Sequence, residues 1–194
     1  MTRIAILQGH PTRGERHLCH ALADAYAQGA RAAGHEVDEL SVAEMDFSIL
    51  RSRRDWEGAN AGPDIIRAQE AIRAANHLVL VFPLWLGSMP ALLKAFLEQT
   101  FRPGFATGKS DEAKGFSNEL AGRSARIIVT MGMPAPVYRW YFLAHGIKSL
   151  EQGILKLVGI KPVRRTLVGS VEKLGDAGVR RWQDALRRLG AAAK

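Results

Sequence analysis

Short apolar runs alternate with amphipathic helical patterns along the whole of this 194-residue chain, and few folds accommodate that alternation. Ile4-Ala5-Ile6-Leu7 reads as a first strand, followed by a turn and a helix over roughly 16–33. That helix sets Leu18, Leu22, Ala25, Tyr26 and Gly29 on one face and stops at Gly34. Val37 to Leu40 is a shorter, more polar strand, expected at a sheet edge. A helix over 64–76 follows, with Asp64 suited to the positive end of its dipole. A strand at 78–82, a helix over 88–101 and a strand from Arg126 to Thr130 come next. A helix over roughly 147–158, a strand at about 163–169 and a helix over 176–189 complete the chain. Five βα units predict an α/β fold: a doubly wound, five-stranded parallel sheet with helices on both faces.

The 78–101 stretch carries the most functional information. Leu78, Val79, Leu80, Val81 and Phe82 form a continuous apolar run, as expected of a strand buried on both faces. Pro83 ends it. Ser88 is expected to cap the next helix, with Pro90 tolerated in its first turn, and Leu93, Phe96, Leu97 and Phe101 form the buried stripe. Between them lies the apolar loop Pro83-Leu84-Trp85-Leu86-Gly87. Open parallel sheets bind ligands at the carboxyl ends of their strands, and this loop suits a flat aromatic ligand. A plain connection with Trp85 capping the core is the simpler reading.

Two further loops should gather at the same edge, 9–16 and 130–146. Backbone N–H groups at a helix start, aided by Arg13 and Arg16, can hold a phosphate after Gly9-His10-Pro11-Thr12; His10 suits a bonded turn equally well. No GxGxxG is present, so the dinucleotide fingerprint is absent. Gly104 to Ser110 imitates a P-loop, but only three residues separate Gly104 from Gly108 where the motif needs four. The 130–146 loop carries Thr130-Met131-Gly132, then Tyr138 and His145, which could donate hydrogen bonds or protons to a reduced carbonyl. Tyr138 also falls among Trp140, Tyr141 and Phe142, a cluster suited to core or dimer contact. Segments 44–62 and 102–122 interrupt the rhythm and are expected to contact a partner or cofactor.

Composition narrows the class. Hydrophobic content of 47% and charged content of 24% fit one soluble globular domain over 1–194. No apolar run approaches the ~20 residues that span a bilayer, and no signal peptide is evident. A lone cysteine, Cys19, fits a reducing compartment, so a cytoplasmic location is expected. The net charge of +8 favours anionic partners. Its arginines are scattered, however, and match no nucleic-acid-binding pattern. Arg180, Asp184, Arg187 and Arg188 follow the wet face of the last helix.

Taken together, these motifs resemble the flavodoxin-like NAD(P)H:quinone reductases, a group that includes the drug-activity modulators and the ancillary subunits of potassium efflux systems. The resemblance rests on Gly9-His10-Pro11, His20-Ala21-Leu22-Ala23-Asp24-Ala25, Phe82-Pro83-Leu84 and Gly87-Ser88-Met89-Pro90-Ala91-Leu92-Leu93-Lys94. It continues through Phe101-Arg102-Pro103-Gly104-Phe105-Ala106, Thr130-Met131-Gly132 and Gly159-Ile160-Lys161-Pro162. It implies the flavodoxin-like strand order and a flavin, FAD or FMN, at a homodimer interface. The 9–20 loop, through His10, Thr12, Arg16, His17, Leu18 and Cys19, would take the phosphates. Pro83, Leu84, Trp85 and Leu86 would flank the isoalloxazine with Thr130, Met131 and Gly132. Tyr138 and His145 match the catalytic pair, and no metal ligand is implied. NAD(P)H would deliver hydride to the flavin, and a quinone would then collect both electrons in a two-electron ping-pong cycle.

Three departures from the family pattern stand out. His17, Leu18 and Cys19 occupy places usually held by serine, an aromatic residue and asparagine, which removes a hydroxyl and an amide that contact phosphate. Trp85 stands one place early, with Leu86 in its slot, and Tyr138 to His145 is one residue longer. Two alternatives to the enzyme follow: a regulatory ancillary subunit that keeps the flavin fold, or a basic nucleotide- or nucleic-acid-binding protein that has lost flavin.

Overall fold

The computed structural model describes residues 1–58, 61–106 and 118–194. Parts of the 44–62 and 102–122 segments, and Thr107 to Ser110 of the P-loop look-alike, therefore lie outside the described residues. Five strands, β1 (Arg3–Gln8), β2 (Glu36–Ser41), β3 (His77–Pro83), β4 (Ser124–Thr130) and β5 (Val163–Val168), form one parallel sheet in the order β2-β1-β3-β4-β5. This is the expected flavodoxin-like order, with the polar β2 at an edge.

Alternation along each strand builds two apolar layers. Ile4, Ile6, Val79, Val81, Ile128 and Val168 face α1 (Leu18–Ala32) and α6 (Gly175–Ala191). Ala5, Leu7, Leu78, Leu80, Phe82, Ile127 and Val129 face the other way, towards α3 (Pro63–Ala74), α4 (Ala91–Thr100) and α5 (His145–Leu150). The short α2 (Arg53–Gly58) precedes α3. Each fully buried Leu, Ile, Val or Phe contributes ~1.5–3 kcal/mol, so these layers dominate the fold. On the first face two helices touch backbone to backbone. A Cβ at Gly29 would lie 2.0 Å from the Arg187 carbonyl oxygen, and one at Gly190 2.1 Å from that of Tyr26. As expected, α6 turns Arg180, Asp184, Arg187 and Arg188 to solvent.

The chain runs from β1 to β2 on one side and returns through α3 to β3 on the other. The loops after β1 and β3 thus diverge from neighbouring strands, at the switch point where such sheets bind ligands. The strands also end in step. Gln8 pairs with Val81 and Pro83 with Thr130, while Gly9 N–H donates to Val81 O at 2.8 Å and Leu84 N–H to Thr130 O at 2.8 Å.

Two local expectations change. Ser88 does not cap α4, because Trp85 and Ser88 exchange backbone hydrogen bonds of 2.9 and 3.0 Å across Leu86-Gly87. Both central residues have positive φ, +47° and +79°, the geometry of a type I′ hairpin turn. The N-cap of α4 is Pro90 itself, with no side-chain hydrogen bond. The helix expected over 147–158 starts at His145 and passes into a π-type turn at Glu151–Leu155. Val137–Tyr141 winds in the same widened way. An extra residue in a turn blurs the 3.6-residue period from which helix limits are read.

Candidate functional site at the carboxyl edge of the sheet

The start of α1 is built from histidines. His17 is its N-cap, and His17 N–H donates to Nδ1 of His20 at 2.9 Å. His20 thus takes the part that Glu or Gln plays three residues into a capping box. Across the loop, Thr12 N–H donates to Nδ1 of His10 at 3.3 Å. His10 lies stacked on His17, ring centroids 3.9 Å apart, with the His20 centroid 5.3 Å from that of His10 and the Trp85 centroid 6.2 Å away in a T-shaped arrangement. These bonds assign the tautomers: in neutral His10 and His20, Nδ1 accepts and the ring proton sits on Nε2. The Nε2 of His17 is shut off from solvent with no hydrogen-bond partner, and Glu15 lies 3.6 Å from it.

Burial, then the neighbouring His17 and His20, pushes His10 down to about 4. His20 is lowered by burial, His17 and Arg16, in that order. His10 and His20 are therefore largely neutral at pH 7. Its two arginines are committed elsewhere: Arg16 pairs with Asp24, and Arg13 donates to the Ala43 carbonyl. The N-terminal N–H groups of α1, including those of Leu18 and Cys19, have no intrahelical acceptor, as at any helix start.

The remaining residues divide into those facing the edge and those facing inward. Trp85 is half exposed and Leu86 fully so, at the tip of the hairpin turn. Pro83 and Leu84 are partly buried behind it, and Gly132 is exposed. Cys19, Thr130 and Met131 are buried. The Cys19 thiol lies 3.1 Å from the Thr130 hydroxyl, and burial pushes its pKa up to about 11, so it is an inert interior group. Cys19 and Thr130 can offer a ligand only backbone.

Tyr138 and His145 are not brought together as a pair of free groups. Tyr138 is 1% exposed, its hydroxyl donating to Gly87 O at 2.9 Å. Burial raises its pKa. His145 is exposed at the first residue of α5. Around it, Trp140, Tyr141, Phe142 and Leu143 are exposed, although Tyr138 itself joins the core. His20 went unassigned in the sequence, where the spacing of His17 and His20, N-cap to third helical residue, was its one signal. A cleft of about 540 Å³ beside β5 is lined by Arg139, Trp140, Glu151 and Arg165. Its buried carboxylate is already paired with Arg165 and Lys156, so it offers few unmet groups.

Orphan donors at a helix start, a His17 nitrogen with no hydrogen bond and an exposed aromatic turn fit a ligand with a phosphate at one end and a flat ring at the other. The flavin implied by the sequence resemblance has that form.

Comparison with known proteins agrees with this architecture. The chain is 27% identical over 176 residues to an uncharacterized NAD(P)H oxidoreductase of Haemophilus influenzae, covering 88% of this chain and 85% of that protein. It is 29% identical over 149 residues to an FMN-dependent NADH:quinone oxidoreductase of Ruegeria pomeroyi, covering 69% and 72%. The solved structure of an NAD(P)H:quinone oxidoreductase from Methanothermobacter marburgensis superposes with a TM-score of 0.80 at 22% identity, over 98% of this chain and 96% of that one. A family model described as flavodoxin-like fold matches residues 2–191. With that match running almost end to end over a β2-β1-β3-β4-β5 sheet, the chain belongs to the flavodoxin-like fold family.

Proposed function

We propose that this chain is a flavin-dependent NAD(P)H oxidoreductase that reduces quinones or similar acceptors by two-electron ping-pong transfer. The observation that carries the reading is the start of α1, where His17 Nε2, with no hydrogen bond and Glu15 3.6 Å away, stands beside orphan backbone donors and across the edge from the exposed Trp85-Leu86 turn. His10, Thr12, His17 and the N–H groups of Leu18 and Cys19 would hold the phosphate. Pro83 to Leu86, with the backbone of Thr130 to Gly132, would flank the ring. When bound, the flavin supplies the electron chemistry, and the protein supplies orientation and electrostatics.

The chain's own contribution begins with positioning. Tyr138 holds the hairpin turn through Gly87 O, so a proton-donating role would require its hydroxyl to exchange that partner. His145 is exposed to solvent at the first residue of α5. The name of the Ruegeria relative specifies FMN and NADH, which supports FMN over FAD. The exposed Leu86, Trp140, Tyr141, Phe142 and Leu143 support a homodimer with the flavin at its interface, since apolar groups gathered on a surface mark contact sites. Residues 1–194 are taken as one domain, acting in the cytoplasm. Among the described residues no helix is long and apolar enough to cross a membrane.

An absorbance spectrum with added FMN, then NADH or NADPH under anaerobic conditions, tests this. A bound-flavin band that bleaches and recovers with a quinone is expected. Binding without bleaching would leave the ancillary-subunit alternative, and no binding would remove the flavin.

A further inference from the structure

We infer that His10, His17 and His20 form a proton-coupled receptor for a phosphomonoester, so that the phosphate of the flavin is taken up together with a proton. The inference rests on the flavin reading for its ligand, but its geometry stands alone. Three imidazoles lie within 3.9–5.9 Å of one another at the N-terminus of a 15-residue helix. His10 is more than nine-tenths buried and its Nδ1 is occupied by Thr12 N–H, so its Nε2–H is the donor left over. His20 is fixed in the same tautomer by the His17 backbone. His17 Nε2 is buried without a hydrogen-bond partner.

The charges around the cluster cancel. Arg13 and Arg16 from the loop oppose Glu15 and Asp24, with Arg16 and Asp24 paired and Glu15 3.6 Å from His17. From the β3–α4 turn the facing group is the uncharged Trp85, and below α1 the neutral Cys19 thiol meets Thr130. The fixed charges of the site therefore sum near zero, and two imidazoles stacked at 3.9 Å resist carrying a positive charge on both rings. A dianionic phosphate adds counter-charge beyond that of Glu15. One proton drawn from solvent onto a histidine then turns a lone ring nitrogen into a second charge-assisted donor. A serine or asparagine in place of His17 would bind the same anion with no proton change.

By linkage, uptake of one proton tightens binding up to tenfold per pH unit above the free-site pKa. The experiment is calorimetric titration of the purified protein with FMN and with riboflavin, which lacks the phosphate, from pH 8.0 to 6.5, where most phosphomonoester stays dianionic. FMN is expected to tighten about tenfold or more across that range, with proton uptake visible as a buffer-dependent heat, while riboflavin stays flat. His17→Ser, which keeps a good N-cap, should bind FMN with a flat pH profile. FMN that binds as pH-independently as riboflavin would overturn the inference and leave the flavin reading intact. Should neither flavin bind, the flavin reading fails, and inorganic phosphate followed by histidine NMR becomes the deciding probe. A histidine pKa raised by one unit or more then supports the receptor, and unshifted histidines overturn it.

Discussion

His77, at the amino end of β3 and far from the proposed site, makes the fold sensitive to acid by a calculable amount. The ring is 1% exposed. Nδ1 meets the Ser124 hydroxyl at 2.7 Å, and Nε2 is buried with no partner. Burial above all, then the positive charges of Arg126 and Arg164, pushes its pKa from 6.5 down to about 4. Below pH 6.5 the unfolded chain takes up a proton that the folded chain refuses until about pH 4. Stability is therefore present above the unfolded pKa and is lost as the pH falls between these values. The 2.5-unit gap is worth about 3 kcal/mol in full, and about 2 kcal/mol of it is lost between pH 7 and pH 5. Urea unfolding of the wild type and of His77→Asn at both pH values isolates the effect. Contributions common to both proteins, such as that of His10, cancel in the comparison. The variant should start less stable at pH 7, by roughly 1–3 kcal/mol for the altered partner of Ser124. From pH 7 to 5 it should then lose about 2 kcal/mol less than the wild type. Equal losses in the two proteins would refute the buried, neutral imidazole.

Gly29→Ala should destabilise the protein by about 1–2 kcal/mol despite alanine's helix preference, because its Cβ would strike the Arg187 carbonyl and force α1 from α6; an unchanged urea midpoint would deny that contact. Trp85→Ala, at a half-exposed side chain, should leave stability within about 0.5 kcal/mol while weakening FMN retention, and full FMN occupancy would make the turn merely structural. Tyr138→Phe should cost about 1–2 kcal/mol of stability by stranding the Gly87 carbonyl, whereas undiminished stability with slower flavin reduction would favour a purely catalytic hydroxyl. His145→Ala should slow flavin reduction in stopped-flow without loss of bound flavin, and unchanged kinetics would remove His145 from the reaction.

The sheet was legible because its strands announce themselves locally. β3 is a continuous apolar run with six of its seven residues buried, and the polar β2 reads as the edge it is. The site was legible only in outline. That Tyr138 spends its hydroxyl on Gly87, 51 residues away, leaves no trace in either local pattern. Nor does the approach of Gly29 to Arg187, which joins opposite ends of the chain. Ser88 reads as a cap before Pro90 because capping is a local preference, but the Leu86-Gly87 turn takes the residue for its own hydrogen bonds. Cys19 and Thr130 stand at the sequence positions expected of a cofactor loop, yet helical phase and strand pleat turn their side chains to each other.

The same contacts bear on whether the site is preformed. The hairpin turn carries two positive-φ residues and an exposed tip, features that could suggest a mobile flap. Its base argues otherwise. Tyr138 holds Gly87 O by a hydrogen bond, and Gly146 packs so closely that a Cβ there would lie 2.2 Å from the same oxygen. On the opposite side Gly9 abuts Leu93, where a Cβ would lie 2.6 Å from the side chain, so the histidine loop rests on α4. The loops after β1 and β3 are thus braced by glycine contacts against α4 and α5. A braced site meets its ligand with little ordering to offset, and its adjustable quantity is charge rather than shape. The chain's +8 charge can draw anions from a distance. Around the histidine cluster the fixed charges cancel, so the local response to an anion falls to the helix start and to protons on His10, His17 and His20.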